Sequence, residues 1–141
     1  MGGGDAKLLG RAKLLRDDRD VLIVSSGLLT IRALGAAQPL SADQVDVGVL
    51  HVATVKPLDV ATIVREADRS ARLVVVAESH STVGGLGEAV AAELLGAGVA
   101  PCFRCIALPD AFPDAGALPT LHARYGISSD AIAASIRGWL A

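Results

Sequence analysis

Glu78 and His80 are the residues of this 141-residue chain whose types and spacing most suggest chemistry. They follow an apolar run, residues 73–77, which predicts a strand that is buried on both faces and ends at residue 78. Side chains two apart on a strand share a face, so the carboxylate and the imidazole could form an acid–base or orienting pair. Because no serine, cysteine or lysine stands out as an activated nucleophile, we assign no catalytic residue. A hydrogen-bonded network at the strand end, or a contact with another subunit, is the favoured interpretation.

A glycine-rich turn follows this polar tip. Gly84, Gly85 and Gly87 introduce a helical pattern, and glycines at a helix N-terminus let backbone N–H groups approach an anion. The turn is therefore a candidate small-anion site. It does not have dinucleotide-binding spacing, because Val90 stands where GxGxxG has its third glycine and no Walker-type lysine follows. A tight structural turn is the simpler interpretation, with Gly84 and Gly85 adopting backbone angles or close approaches that a Cβ would obstruct.

Two cysteines, Cys102 and Cys105, have the CxxC spacing of redox and zinc sites. A redox pair lies at a helix N-terminus, where the thiol pKa is lowered, whereas this pair begins a predicted strand. Residues three apart on a strand point to opposite faces, and a zinc site would need two further ligands nearby. The histidines, His51, His80 and His122, are too scattered to predict a metal cluster. We therefore predict free thiols and no metal site.

The composition narrows the class of protein. A chain of this length predicts one domain, and its hydrophobic fraction of 52% includes no apolar run long enough to cross a bilayer. A formal net charge of −2 and 3% aromatic residues argue against nucleic acid or a membrane as a partner. Two cysteines and the absence of a secretory signal predict a cytoplasmic location. Residues 1–9 are expected to be a flexible N-terminus, and residues 10–141 the folded domain.

Apolar strand-like segments alternate with helical patterns along the chain. This alternation predicts a three-layer α/β/α fold with right-handed crossovers and a charged first strand at the edge of the sheet. In the second connection, Pro57 pushes Lys56 into extended geometry, and Asp59 is placed to cap the next helix. The predicted strands are 11–16, 21–24, 46–52, 73–77 and 103–108. The predicted helices contain Ile31, Leu34, Ala37 and Leu40; Ile63 and Val64; Leu86–Leu94; Leu118–Tyr125; and Ile132–Leu140. Ser128 is predicted to cap the last helix.

Together these segments resemble the C-terminal domain of the transketolase family of thiamine-diphosphate enzymes. The resemblance implies a mostly parallel five-stranded sheet with an antiparallel edge strand. Two segments depart from the family pattern: Ser79 replaces a second glutamate, and residues 112–116 replace Phe-Gly-Glu-Ser-Gly. The motifs that carry the resemblance are Gly10-Arg11-Ala12-Lys13, Asp20-Val21-Leu22-Ile23-Val24, Thr54-Val55-Lys56-Pro57-Leu58-Asp59, Glu78-x-His80, Gly84-Gly85-Leu86-Gly87, Pro109-Asp110-x-Phe112 and Tyr125-Gly126-Ile127.

The resemblance implies a non-catalytic C-terminal domain or subunit of a transketolase-type enzyme. The complete enzyme would transfer ketol groups between sugar phosphates, and this part would support folding and dimer assembly. Family members hold thiamine diphosphate and Mg²⁺ between two other domains, so we expect no cofactor in this chain and no activity of this chain alone. The expected partners are the remaining transketolase domains, or an N-terminal subunit, and further copies in a homo-oligomer.

Two alternatives stay open at this point. The chain could be a free-standing α/β module that binds a small anion or a partner protein at the strand-end crevice. It could also be the C-terminal domain of a related 2-oxoacid dehydrogenase β subunit or deoxyxylulose-phosphate synthase, which end in similar domains. In each case the candidate interface or small-anion site is Glu78, His80, Gly84, Gly85 and Gly87.

Overall fold

The computed structural model of the chain describes residues 11–17, 20–53, 58–69, 73–81, 85–108 and 128–141. Within these ranges, strands and helices alternate as predicted. The predicted helix over 118–125 and the motifs over 109–116 lie outside the described residues. The strands are β1 (Lys13–Arg16), β2 (Val21–Ser25), β3 (Val47–His51), β4 (Leu73–Ser81) and β5 (Cys102–Leu108), and the helices are α1 (Leu28–Ala42), α2 (Val60–Arg69), α3 (Leu86–Gly96) and α4 (Ser129–Leu140).

The five strands form one sheet in the order β1-β3-β2-β4-β5. Strand β2 is parallel to both β3 and β4, β4 is parallel to β5, and β1 pairs antiparallel with β3 at the edge. The prediction of a mostly parallel sheet with an antiparallel edge strand is confirmed. The chain moves from β2 to one side and then crosses to the other, so the strand order reverses between β2 and β4. In open α/β sheets, the carboxyl ends of the strands at such a reversal are where ligands and partners meet the fold.

Helices cover both faces of the sheet, which confirms the three-layer prediction. Alternation along β2 sends Val21 and Ile23 into one apolar cluster, and Leu22 and Val24 into the other. Helices α1 and α4 complete the first cluster, while α2 and α3 complete the second. Every residue of β2 is buried, as expected for a central strand covered on two sides. None of the helices described here is long and apolar enough to span a membrane.

Helix α1 turns a different face to the sheet from the one that its large residues suggest. Of the four predicted positions, Ala37 and Leu40 are buried, whereas Ile31 is 67% exposed and Leu34 is 37% exposed. Alanines make up much of the buried face, because small side chains allow α1 to approach the sheet and α4 closely. The buried hydrophobic residues of α1 are Leu29, Ala33, Ala36, Ala37 and Leu40.

Strand β4 is longer than predicted. The sequence suggested that it ends where polar residues begin at Glu78, but the strand continues to Ser81. The ladder with β5 shifts register after Ala77 and resumes with Ser81 opposite Leu108. The renewed pairing at Ser81 thus extends the strand beyond the point where its side chains become polar.

Candidate functional site

Glu78 connects the carboxyl end of β4 to the first turn of α3. The side chain is only 2% exposed and lies on the face covered by α2 and α3. Its Oε1 atom accepts a hydrogen bond from the backbone N–H of Leu86, and Oε2 accepts one from Gly87, both at 2.7 Å. Gly85, at the N-cap, has no side chain that could accept these bonds. The carboxylate therefore replaces a local N-cap and places negative charge where the helix dipole favours it.

Gly87 is a glycine whose lack of a side chain matters for packing. A Cβ built on Gly87 would lie 2.7 Å from Cys105 Sγ and 3.4 Å from Glu78 Oε2. Strand β5 thus approaches the start of α3 closely enough to exclude even an alanine without movement. Gly85 has φ −89° and ψ −167°, an extended conformation that any residue adopts, so of the two possibilities expected there the special backbone angle was wrong, and a close approach stays a prediction. Gly84 lies outside the described residues.

The two cysteines are free and lie on opposite faces of β5, as predicted. Phe103 packs into the cluster under α2 and α3, and Ile106 packs into the other, so alternation places Cys105 beside Glu78 and Cys102 on the far face. Both thiols retain exposed surface. Partial burial raises the pKa of the Cys105 thiol, and the Glu78 and Glu88 carboxylates raise it further.

Cys105 should react slowly with alkylating agents near neutral pH. A raised pKa leaves less thiolate at any given pH, and the thiolate is the nucleophile. In a Cys102→Ala background, the pH midpoint of iodoacetamide reaction should exceed that of an unstructured cysteine peptide. Glu88→Gln should lower this midpoint, while Glu93→Gln, farther along α3, should leave it unchanged. A midpoint at or below that of the peptide would contradict the expected influence of burial and charge.

A second polar group lies on the opposite face of the same sheet edge. Ser25 ends β2, Thr30 lies in the first turn of α1, and His51 ends β3. Ser25 Oγ is 2.8 Å from Thr30 Oγ1, which in turn is 2.6 Å from His51 Nδ1. Sequence reasoning missed this group because it considered His51 only as a possible metal ligand. The available signal was a serine ending an apolar strand, followed five residues later by a threonine in a helix.

Asp59 caps α2, which confirms the prediction made from its position. Its Oδ1 accepts a hydrogen bond from the backbone N–H of Thr62 at 3.3 Å, and Oδ2 accepts one from Ala12 at 2.8 Å. Arg11 Nε lies 3.9 Å from Oδ2. Burial alone would raise the pKa of Asp59, but the hydrogen bonds from Thr62 and Ala12, with the charge of Arg11, outweigh burial and lower it. Lys56 and Pro57 lie outside the described residues.

Replacement of Asp59 by asparagine should lower the free energy of unfolding by about 1–2 kcal/mol at pH 7. A carboxylate with a lowered pKa stabilises the fold fully above about pH 5, and this stabilisation is lost as the pH falls through the lowered value. The gap between the wild-type and Asp59→Asn urea midpoints should therefore narrow in acid. Asp68→Asn, an exposed change on the same helix, is the control, and a gap that widens in acid would contradict the assignment.

The structure brings together some of the predicted site residues and separates others. Glu78, Gly85 and Gly87 meet at the start of α3, whereas Asp59 lies beside β1 at the far edge of the sheet. The side chain of His80 lies outside the described part of the chain. Both carboxylate oxygens of Glu78 are engaged by backbone N–H groups, so any small anion at this helix terminus would have to displace them. Within the described ranges, no three His, Cys, Asp or Glu side chains are grouped to hold a metal ion.

Comparisons with known proteins identify one family of domains, and the relatives that share it include transketolase subunits and 1-deoxy-D-xylulose-5-phosphate synthases. The family model described as "Transketolase, C-terminal domain" matches residues 10–132. A transketolase family protein of Sinorhizobium fredii is 63% identical over 133 residues, which is 94% of this chain and 39% of that protein. The 6-deoxy-6-sulfo-D-fructose transketolase subunit of a Clostridium species is 38% identical over 128 residues, or 91% of this chain and 39% of that subunit. The chain thus spans about two fifths of the length of these curated relatives.

A solved structure with the same fold comes from a split-gene transketolase in an inactive β4 tetramer. It superposes with a TM-score of 0.81 at 33% sequence identity, over 92% of this chain and 42% of that chain.

Proposed function

We propose that this chain is the non-catalytic C-terminal part of a transketolase-type transferase, since it belongs to the transketolase family and comprises the family's C-terminal domain. The observation that carries this proposal is a family match that covers residues 10–132, in a chain that spans only 39% of a relative 63% identical to it. The remaining transketolase domains, on the same chain or on a separate subunit, would supply the reaction centre. The split-gene relatives support the second arrangement.

The chemistry of the described side chains supports a structural role. Glu78, the buried carboxylate at the carboxyl edge, accepts one backbone hydrogen bond on each oxygen, and these two bonds give it a structural role at the start of α3. The described residues do not fit a Mg²⁺–diphosphate site, because they include no cluster of metal-ligating groups. We therefore assign thiamine diphosphate and Mg²⁺ to the other domains of the complete enzyme, and we assign no step of the reaction to residues of this chain.

The segment from Glu78 to Gly87 is the proposed contact with the other domains or with a second copy. Glu78 would act indirectly, because its two hydrogen bonds fix the start of α3 and therefore the surface available for this contact. His80 would contribute to the contact itself. We expect His80→Ala to leave the urea midpoint of the isolated chain within error, and to weaken assembly measured by analytical ultracentrifugation.

The proposal is tested by reconstitution with the remaining transketolase domains. Calorimetric titration of the isolated chain with thiamine diphosphate and Mg²⁺ should show no saturable binding at micromolar concentrations. Ketol transfer should appear only when the other domains are added, and His80→Ala should raise the concentration of chain needed for half-maximal activity. His122→Ala is the control substitution. Saturable cofactor binding by the isolated chain, or activity that His80→Ala abolishes without any change in assembly, would overturn the proposal.

A further inference from the structure

The group formed by Ser25, Thr30 and His51 is not part of the proposed contact and has a geometry that fixes its hydrogen positions. Ser25 is fully buried and Thr30 is 6% exposed, so neither hydroxyl can rely on bulk water. Thr30 Oγ1 lies between the two other groups, within 2.8 Å of Ser25 Oγ and 2.6 Å of His51 Nδ1. Among the described residues, no hydrogen bond joins either hydroxyl to a further partner.

Three arrangements of the hydrogens are possible, and they differ in what they leave unpaired. If Nδ1–H of His51 donated to Thr30 and Thr30 donated to Ser25, the buried Ser25 hydrogen would have no acceptor. If both neighbours donated to Thr30, the Thr30 hydrogen would have none. When Ser25 donates to Thr30 and Thr30 donates to Nδ1, both hydroxyl hydrogens are used. Buried polar hydrogens without acceptors are costly, so this last arrangement is favoured.

We infer that the hydrogen bonds run one way, from Ser25 through Thr30 into His51, and that they hold neutral His51 with its proton on Nε2. Ser25 and Thr30 are thus positioning residues for an imidazole that they reach from two other elements. The ring can donate a hydrogen bond from Nε2 at the carboxyl edge of β3, and it has no free nitrogen lone pair there for a metal ion or a proton.

The surroundings of His51 reinforce this state. Lys13 of β1 is its direct cross-strand neighbour, so the two side chains share a face. Strand β2 carries no charged residue, and the charged residue of α1, Arg32, lies two positions beyond Thr30, about 200° around the helix. The three elements packed against His51 carry no carboxylate, so none competes with Thr30 for Nδ1 of the ring.

Nuclear magnetic resonance of the ¹⁵N-labelled chain tests the inference directly. Long-range ¹H–¹⁵N correlations at pH 8 should show only the Nε2–H tautomer for His51 in the wild type. In Ser25→Ala the buried Thr30 hydrogen still has Nδ1 as its acceptor, so the Nε2–H tautomer should remain dominant. Ser26→Ala, the matched control in the next position, should leave the populations unchanged. Thr30→Val should release the ring into both tautomers, and Thr30→Ser should restore the wild-type pattern.

Two outcomes would overturn the inference. One is a directly bonded proton on Nδ1 of His51 in the wild-type protein, a measurement that needs no variant to fold. The other is a Thr30→Val variant, folded by its dispersed amide spectrum, whose tautomer populations equal those of Ser26→Ala. Zn²⁺ added as a probe should not shift the Nε2 resonance of the wild type, and a saturable shift would also count against the assignment.

Discussion

Replacement of Glu78 by glutamine should lower the free energy of unfolding by about 2–4 kcal/mol, a large effect for a change of one atom. The carboxylate accepts from two backbone N–H groups at 2.7 Å, whereas an amide can accept with only one of its two ends. The NH₂ group would then face the N–H of Leu86 or Gly87, donor against donor, in a site that is 2% exposed to water. The helix terminus would also lose a favourable negative charge.

Chemical unfolding of the variant, followed by circular dichroism, measures this loss. Glu93→Gln removes a carboxylate from the exposed side of the same helix and should change the free energy by less than about 0.5 kcal/mol. Amide hydrogen exchange adds a local test, because Leu86 and Gly87 should lose protection in Glu78→Gln before the centre of the sheet does. If the two variants unfold at the same urea concentration, the carboxylate does not stabilise the start of α3.

Gly87→Ala should destabilise the protein by about 1–3 kcal/mol, although alanine is a better helix former than glycine. The added Cβ would come within 2.7 Å of Cys105 Sγ, so either the thiol would have to rotate away or α3 and β5 would have to separate. Cys105→Ala removes that sulfur, and the remaining Cys105 Cβ is 3.6 Å away, an ordinary contact. The double variant should therefore recover most of the stability lost in Gly87→Ala, with a coupling energy of at least about 1 kcal/mol.

Gly96, the last residue of the same helix, provides the matched control for this experiment. A Cβ built there meets no atom within 4 Å, so Gly96→Ala should be neutral or slightly stabilising in either cysteine background. Urea midpoints of the wild type, Gly87→Ala, Cys105→Ala and the double variant complete the cycle. Additive losses in the cycle would show that Cys105 is not what excludes a side chain from position 87.

Local patterns in the sequence predicted the elements, while contacts between distant segments decided the site. Asp59 could be assigned as a cap because its partner Thr62 is three residues away. The cap of α3 could not be found in the same way, since Glu78 reaches Leu86 and Gly87 across a glycine turn rather than from the N-cap position. The role of Gly87 depends on Cys105, which sheet pairing brings next to it and which no local pattern reveals.

The two remaining differences between the predicted and the observed fold, in α1 and β4, have the same origin. Ile31 and Leu34 were expected on a helix that faces the core, and the exposed side of α1 was set instead by how closely its alanines fit the sheet and α4. Strand β4 extends past Ala77 and pairs again with β5 at Ser81, although its polar side chains suggested a turn. Hydropathy alone does not encode either fact, because both depend on a neighbour that is distant in the sequence.

The hydrogen bond from Ala12 to Asp59 has a mechanical consequence. Strand β1 runs antiparallel to β3 at the sheet edge, with Lys13 opposite His51, so tension on the chain before Arg11 would unzip the edge strand one residue at a time. Asp59 accepts a hydrogen bond from the backbone N–H of Ala12, the residue before that first pair, and the helix that follows Asp59, α2, packs into the core. A pulling force would therefore act on the hydrogen bond between Ala12 and Asp59 before it reached the hydrogen bonds between β1 and β3. Acid that protonates Asp59 would also make the edge strand easier to detach.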